Sequence, residues 1–265
     1  NHGMAFVNPV KVWAGNYSDT KAADVIVITA GANQRPGETR LDLAKRNTAI
    51  IKSVCQEIVK NTKNAIIVMT ANPVDVLTYV AIKETGFSPE RVFGSGTLLD
   101  TARFRFLLGE HLGVDPRSVH AYIIGEHGDS ELPVWSSATV GGVPINKFCH
   151  KHPPEVCTDQ LNHIFCQVKN AAYEIIERKG ATYYAIGWAL KRIVEAIILD
   201  QKSVLTVSTL LTNYHGISDV CIGVPAVIGW DGIERMVELE LSDLEVNKLV
   251  ESASVLKSVQ QSVGY

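Results

Sequence analysis

Residues 123–133, IIGEHGDSELP, place Glu126, His127 and Asp129 in a segment punctuated by Gly125 and Gly128, directly after an apolar run. Histidine changes charge close to neutral pH, which suits it to give and take a proton during a reaction. In α/β proteins, chemistry gathers just outside the C-terminal ends of strands. His127 follows such a run and is therefore a candidate acid/base. The plainer alternative is a turn carrying a surface histidine.

A second group of candidates lies on TLLDTARFRFLLGEHLG (97–113), whose periodicity predicts a helix. Asp100 and Arg103 are three residues apart and share a face. A buried carboxylate beside an imidazole favours its charged form and fixes its tautomer. An arginine fork binds a substrate carboxylate through two parallel hydrogen bonds. The alternative is a surface ion pair of little energetic weight. The loop GANQRPGETR (31–40) is a third candidate, because it carries Gly31, Pro36 and Gly37 and ends with Arg40 at a helix start. A hinged lid over a site has this composition, and so does an ordinary polar connection.

Positioning these residues requires strands and helices in a definite order. ADVIVITAG (23–31) and NAIIVMTANP (64–73) read as buried parallel strands, and residues 41–61 and 74–86 as helices. This alternation implies a right-handed parallel α/β layer. Beyond residue 94 the pattern changes. SVHAYIIG (118–125) reads as one strand, and 154–179 and 182–199 as helices broken at Gly180. Segments 203–211, 220–229 and 235–241 read as an antiparallel meander, and 242–263 as a last amphipathic helix. The expected organisation is a parallel α/β unit over 1–94 and an α+β unit over 95–265, with helix 182–199 packing back on the first.

Bulk properties narrow the function. The 265 residues carry a formal net charge of −3, which gives no broad attraction to nucleic acid or an acidic membrane. No apolar stretch is long enough to predict a membrane span. The five cysteines are odd in number and form no CxxC, so reduced thiols in a cytoplasmic protein are expected. Cys149, His150, His152, Cys157, His163 and Cys166 are metal-capable types without CxxC or HxxxH spacing, and no metal site is expected from them.

Six ordered stretches name a family: ITAGANQRPGETRLDL, MTANPVDVLTY, GSGTLLDTARFR, IIGEHGDSELPVWS, KGATYYAIG and ISDVCIGVPAVIG. Together they resemble the L-lactate dehydrogenases of the lactate/malate dehydrogenase superfamily, over essentially the whole chain. The resemblance implies a Rossmann-type NAD-binding domain followed by an α+β substrate domain. It implies that His127 exchanges a proton with the pyruvate carbonyl oxygen, that Asp100 orients His127 and raises its pKa, and that Arg103 clamps the substrate carboxylate. Arg40 would close in with the lid and stabilise charge developing on oxygen. Asn72 and Thr182 would contact substrate. Ile186 would pack on the nicotinamide, and Tyr17, Gly31, Ala32, Ser53, Thr70, Ala71, Asn72 and Ser95 would line the dinucleotide site.

The choice between lactate and malate turns on Gln34. Malate enzymes of the superfamily typically carry Arg there, to pair with a second carboxylate. A neutral amide suits the methyl group of pyruvate and leaves a second carboxylate unpaired. Arg35 lies one residue further on, and a register error of one would reverse the choice. Arg105 and His120 match the pair that binds fructose 1,6-bisphosphate in allosteric bacterial members, a site formed between subunits of a homotetramer.

The resemblance breaks at the start. The family's first strand, its GxGxxG turn and the acid that holds the adenine ribose are not in these residues. GSGTLL (94–99) lacks the third glycine and follows the wrong strand. A longer parent chain is the expectation. The rival readings are a malate dehydrogenase, which Gln34 opposes, and a non-enzymatic relative, which the intact His127, Asp100, Arg103 and Arg40 set opposes.

Overall fold

The computed structural model describes residues 9–33, 37, 39–148 and 154–265, without the side chains of residues 40 and 154–157. The apolar runs form β1 (Val25–Ile28), β2 (Ile66–Met69) and β3 (Val92–Gly94), paired in parallel. Between them lie α1 (Arg40–Asn61) and α2 (Val74–Thr85). Helix α1 starts at a capping box, in which Thr39 accepts from the Asp42 backbone and Asp42 returns the contact. Helix α2 ends at Gly86, whose left-handed φ of 64° lets its N–H close on the Ile82 carbonyl.

The chain continues through α3 (Leu98–Leu112), β4 (Val119–His120), β5 (Ile123–Ile124), β6 (Leu132–Pro133), β7 (Thr139–Val140) and β8 (Val143–Pro144). It then forms α4 (Ile145–Phe148), α5 (Pro154–Lys179), α6 (Tyr184–Ile198), β9 (Ser203–Leu210), β10 (Cys221–Gly229), β11 (Gly232–Met236) and α7 (Asp243–Ser262). Gly180, at φ 77°, separates α5 from α6.

The parallel strands and the C-terminal meander form one six-stranded sheet, ordered β1-β2-β3-β9-β10-β11. The seam is a single antiparallel pairing, Gly94 with Ser208. A β-carbon on Gly94 would lie 2.5 Å from the Thr78 hydroxyl and 3.0 Å from the Ser208 β-carbon, so only glycine permits this approach.

Alternate residues of β2 face opposite cores, as strand geometry requires. Ile67 and Met69 pack with Ile51 and Ile58 of α1 and with Leu77 and Val80 of α2. Ile66 and Val68 pack with Phe93 of β3 and with Ile193, Ala196 and Ile197 of α6. The same α6 residues meet Val207 and Ala226, so this helix covers both parts of the sheet. A third core joins α3 and α5, and a fourth lies under α7.

Two sequence expectations need correction. Residues 118–125 are two short strands in different sheets: β4 pairs with β7, and β5 with β6. The break falls where Arg105 donates to the Ala121 carbonyl and Val134 donates to the Tyr122 carbonyl. The third meander strand spans Gly232–Met236 and not 235–241. Its last pairing is Ala226 opposite Met236; Val237 N–H still donates to the Pro225 carbonyl at 2.8 Å, but Pro225 has no N–H to return.

Candidate active site

The segment after β5 is fastened on four sides. Gly125 exchanges two backbone hydrogen bonds of 2.9 Å with Gly223 of β10. Glu126 N–H donates to the Ser252 hydroxyl of α7 at 2.8 Å. His127 N–H donates to Asp75 Oδ2 of α2 at 2.8 Å. Tyr173 of α5 donates its hydroxyl to Asp129 at 2.8 Å. The backbone that carries His127 is therefore fixed by tertiary contacts.

Helix α3 brings its charged residues to the same place. Thr97 and Thr101 donate their hydroxyls to the Ile123 carbonyl at 2.7 and 3.3 Å, which pins the start of α3 against β5. Asp100, one turn in, is 3% exposed. Its Oδ2 lies 2.6 Å from His127 Nδ1, and its Oδ1 accepts from Arg103 Nη1 at 3.1 Å. With Nδ1 committed to a carboxylate, Nε2 is the nitrogen left to exchange a proton with a ligand. The His127 side chain is 25% exposed and within reach of one.

Burial and charge oppose each other here. Burial alone would depress His127, but the Asp100 carboxylate overcomes it and, with Asp75 and Glu131, raises the imidazole to about 9. Burial pushes Asp100 upward, yet His127 and Arg103 together hold it below the ordinary carboxylate range. The pair therefore rests as imidazolium and carboxylate at neutral pH, ready to give a proton.

Two acids at this site went unnoticed in the sequence. Asp75, 1% exposed, is driven up to about 6 chiefly by burial. Its Oδ1 has no hydrogen-bond partner among the described residues. Glu131, 7% exposed, is pushed to about 8 by burial and by Asp100. The signal for Asp75 was a charged residue inside the apolar helix VDVLTYVAI.

The residues expected to hold a dinucleotide divide into two groups. Gly31 and Ala32 follow β1, Thr70, Ala71 and Asn72 follow β2, and Ser95 follows β3, so six of them line the C-terminal edge of the parallel strands. Asn47 of α1 ties these ends together. It accepts from Ala32 N–H at 2.8 Å and donates to the Asn72 carbonyl at 2.7 Å. A β-carbon on Gly31 would lie 3.0 Å from that of Ala71. The Thr70 hydroxyl is buried with no partner among the described residues. A tight backbone cradle with an unused hydroxyl fits a polar ligand group at this edge.

Ser53 lies exposed on α1, about 20 Å along the helix from Arg40 at 1.5 Å per residue. Tyr17 opens a short 3-10 helix ahead of β1 and is also exposed. Thr182 and Ile186 flank the start of α6 and are half-buried. Arg105 donates to the carbonyl of Ala121, the neighbour of exposed His120, and lies over the Tyr122 ring. Gln34 lies outside the described residues, as do Cys149, His150 and His152. Arg40 opens α1, and its side chain is likewise outside them.

Comparison with known proteins follows the same lines. Residues 1–94 match the NAD-binding domain of lactate/malate dehydrogenases, and residues 97–263 match their α/β C-terminal domain. The L-lactate dehydrogenase of Acetivibrio thermocellus is 51% identical over 261 residues, which is 98% of this chain and 82% of the relative. That of Bacillus caldolyticus is 52% identical over 260 residues, again 98% and 82%. The crystal structure of MGS-M5, a lactate dehydrogenase from a Medee basin deep-sea metagenome library, superposes with a TM-score of 0.95 at 46% identity. It covers 100% of this chain and 84% of its own. The ligand-bound minor L-lactate dehydrogenase of Enterococcus mundtii gives a TM-score of 0.94 at 43% identity, covering 99% and 83%. With both halves matched and half of its residues shared with such relatives, this chain belongs to the lactate/malate dehydrogenase family of NAD-dependent oxidoreductases.

Proposed function

We propose that the chain catalyses the reversible conversion of pyruvate to L-lactate, the terminal step of lactic fermentation. The observation that carries this reading is the 2.6 Å contact of His127 Nδ1 with buried Asp100, with Arg103 on the next turn of the same helix. NADH, when bound, supplies the hydride. His127 gives its proton to the carbonyl oxygen as that oxygen becomes a hydroxyl, and takes it back in the reverse direction. Asp100 holds the ring and stabilises its charged form. Arg103 binds the substrate carboxylate through its fork, and Arg40 stabilises charge building on the oxygen. Asn72 and Thr182 contact substrate, while Gly31, Ala32, Thr70, Ala71, Ser95, Ile186, Tyr17 and Ser53 serve the cofactor. The reading is tested by comparing pyruvate-dependent and oxaloacetate-dependent oxidation of NADH.

Gln34 selects pyruvate in this account. Gln34→Arg is expected to shift the ratio of kcat/KM for oxaloacetate over pyruvate upward, on the order of 10-fold or more. Steady-state kinetics with both substrates checks this, and an unchanged ratio would assign specificity to another position.

Arg105 and His120 form the proposed fructose 1,6-bisphosphate site, at an interface of a cytoplasmic homotetramer. Arg105 lies beside the His120 strand, and two cations suit a phosphate. Arg105→Gln combined with His120→Gln is expected to abolish activation by fructose 1,6-bisphosphate and to leave basal turnover within about 2-fold, since neither residue touches the His127 pair. Activation that survives the double substitution would move the effector elsewhere.

A further inference from the structure

The backbone brings a second acid to the imidazole. Glu131 immediately precedes β6, and the Ile124–Leu132 pairing folds this residue back alongside the His127 segment. Polar atoms of Glu131, Asp100 and His127 all lie within 4.8 Å of one another. Glu131 is 7% exposed, and its Oε1 has no hydrogen-bond partner among the described residues. A buried carboxyl with an unused oxygen is costly to keep, and no hydrogen bond of that oxygen offsets the cost. Neither oxygen of Asp100 is spare, since one takes His127 and the other Arg103.

We propose that Glu131 is a positioning residue that holds the His127 proton to higher pH and so sets where pyruvate reduction gives way to lactate oxidation. This rests on the dehydrogenase reading above. The charged groups around Glu131 are Asp100 and Arg103 from α3, His127 from its own segment and Lys169 from α5. Asp75 from α2 stands behind the imidazole, with Glu126 acting on Asp75 in turn. Helix α7 contributes Ser252, which carries no charge.

At neutral pH Glu131 is a neutral acid, and the pair of Asp100 and His127 is balanced. As pH rises, Glu131 loses its proton and becomes an anion within 4.8 Å of the imidazolium. That anion makes the imidazolium harder to deprotonate. Reduction needs the imidazolium and oxidation needs the neutral ring. The same shift therefore extends reduction to higher pH and delays the onset of oxidation.

The test is an NMR titration of the His127 ring in the wild type, in Glu131→Gln and in Glu131→Ala, with His127→Asn identifying the resonance. Alongside it, the pH profiles of kcat/KM are measured in both directions. In the wild type, the His127 ring is expected to report the ionisation of Glu131 as a step beside its own. Both variants are expected to lose the step due to Glu131, to release the ring proton about one pH unit lower, and to shift the alkaline limb of reduction and the acid limb of oxidation by the same amount. A structural role alone would change melting temperature or kcat and leave these limbs in place. A one-step wild-type titration, or variant titrations that superimpose on the wild type, would overturn the proposal. A shifted titration in a protein that turns over neither pyruvate nor lactate would uphold the electrostatic link and sink the dehydrogenase reading. Turnover with an unshifted titration would do the reverse.

Discussion

Replacing His127 with alanine is expected to lower kcat for pyruvate reduction by about 10²- to 10⁴-fold, the usual contribution of a positioned proton donor. A pyruvate analogue should still bind, because the carboxylate is held by Arg103 on a separate element. The size of the loss follows from how His127 is prepared. Its ring is raised to about 9, so it is charged at neutral pH, and Asp100 fixes which nitrogen is free. Alanine removes the proton donor and leaves Asp100 facing Arg103 alone. The measurement is single-turnover reduction beside equilibrium binding of the analogue. Normal turnover in the variant would end the proposed mechanism.

Replacing Arg103 with glutamine is expected to reduce kcat/KM for pyruvate by roughly 10²- to 10³-fold, within the ~2–5 kcal/mol range for losing one partner of a buried charge pair. Arg103 is 15% exposed at its side chain and donates to Asp100. One arm of its fork is thus fixed to the catalytic pair, which aims the remaining donors. Arg103→Lys should recover little, since a point charge cannot make two parallel bonds. The loss should lie more in KM than in kcat, because the carboxylate is bound in ground state and transition state alike. A variant with unchanged KM would assign the carboxylate clamp to another residue.

Much of the site was readable from residue types in order. His127 after an apolar run and Asp100 three residues before Arg103 were candidates by type, the family resemblance joined His127 to Asp100, and the structure places them in contact. Two strand ends were equally legible, because the apolar runs stop near Gly31 and Thr70, whereas the three residues of β3 ahead of Ser95 are too short a run to read. Other features depend on contacts between distant segments. The split of residues 118–125 into two strands arises from partners at 139–140 and 132–133, which local periodicity does not name. The end of β11 is fixed by Pro225 on its neighbour. Glu131 looked like one polar residue among several in GDSELP, and only the β5–β6 pairing turns it toward the imidazole. The continuity of the sheet across residue 94 depends on one glycine and its serine partner, a contact spanning more than a hundred residues.

In the proposed mechanism His127, oriented by Asp100, carries the proton in pyruvate reduction. The most direct test is pyruvate-dependent oxidation of NADH by the wild type and by His127→Ala, with oxaloacetate run in parallel. Turnover of pyruvate by the wild type, weaker turnover of oxaloacetate, and a loss of at least about 10²-fold in the variant are expected. Turnover of oxaloacetate without pyruvate, or pyruvate turnover that survives the loss of His127, would contradict that mechanism.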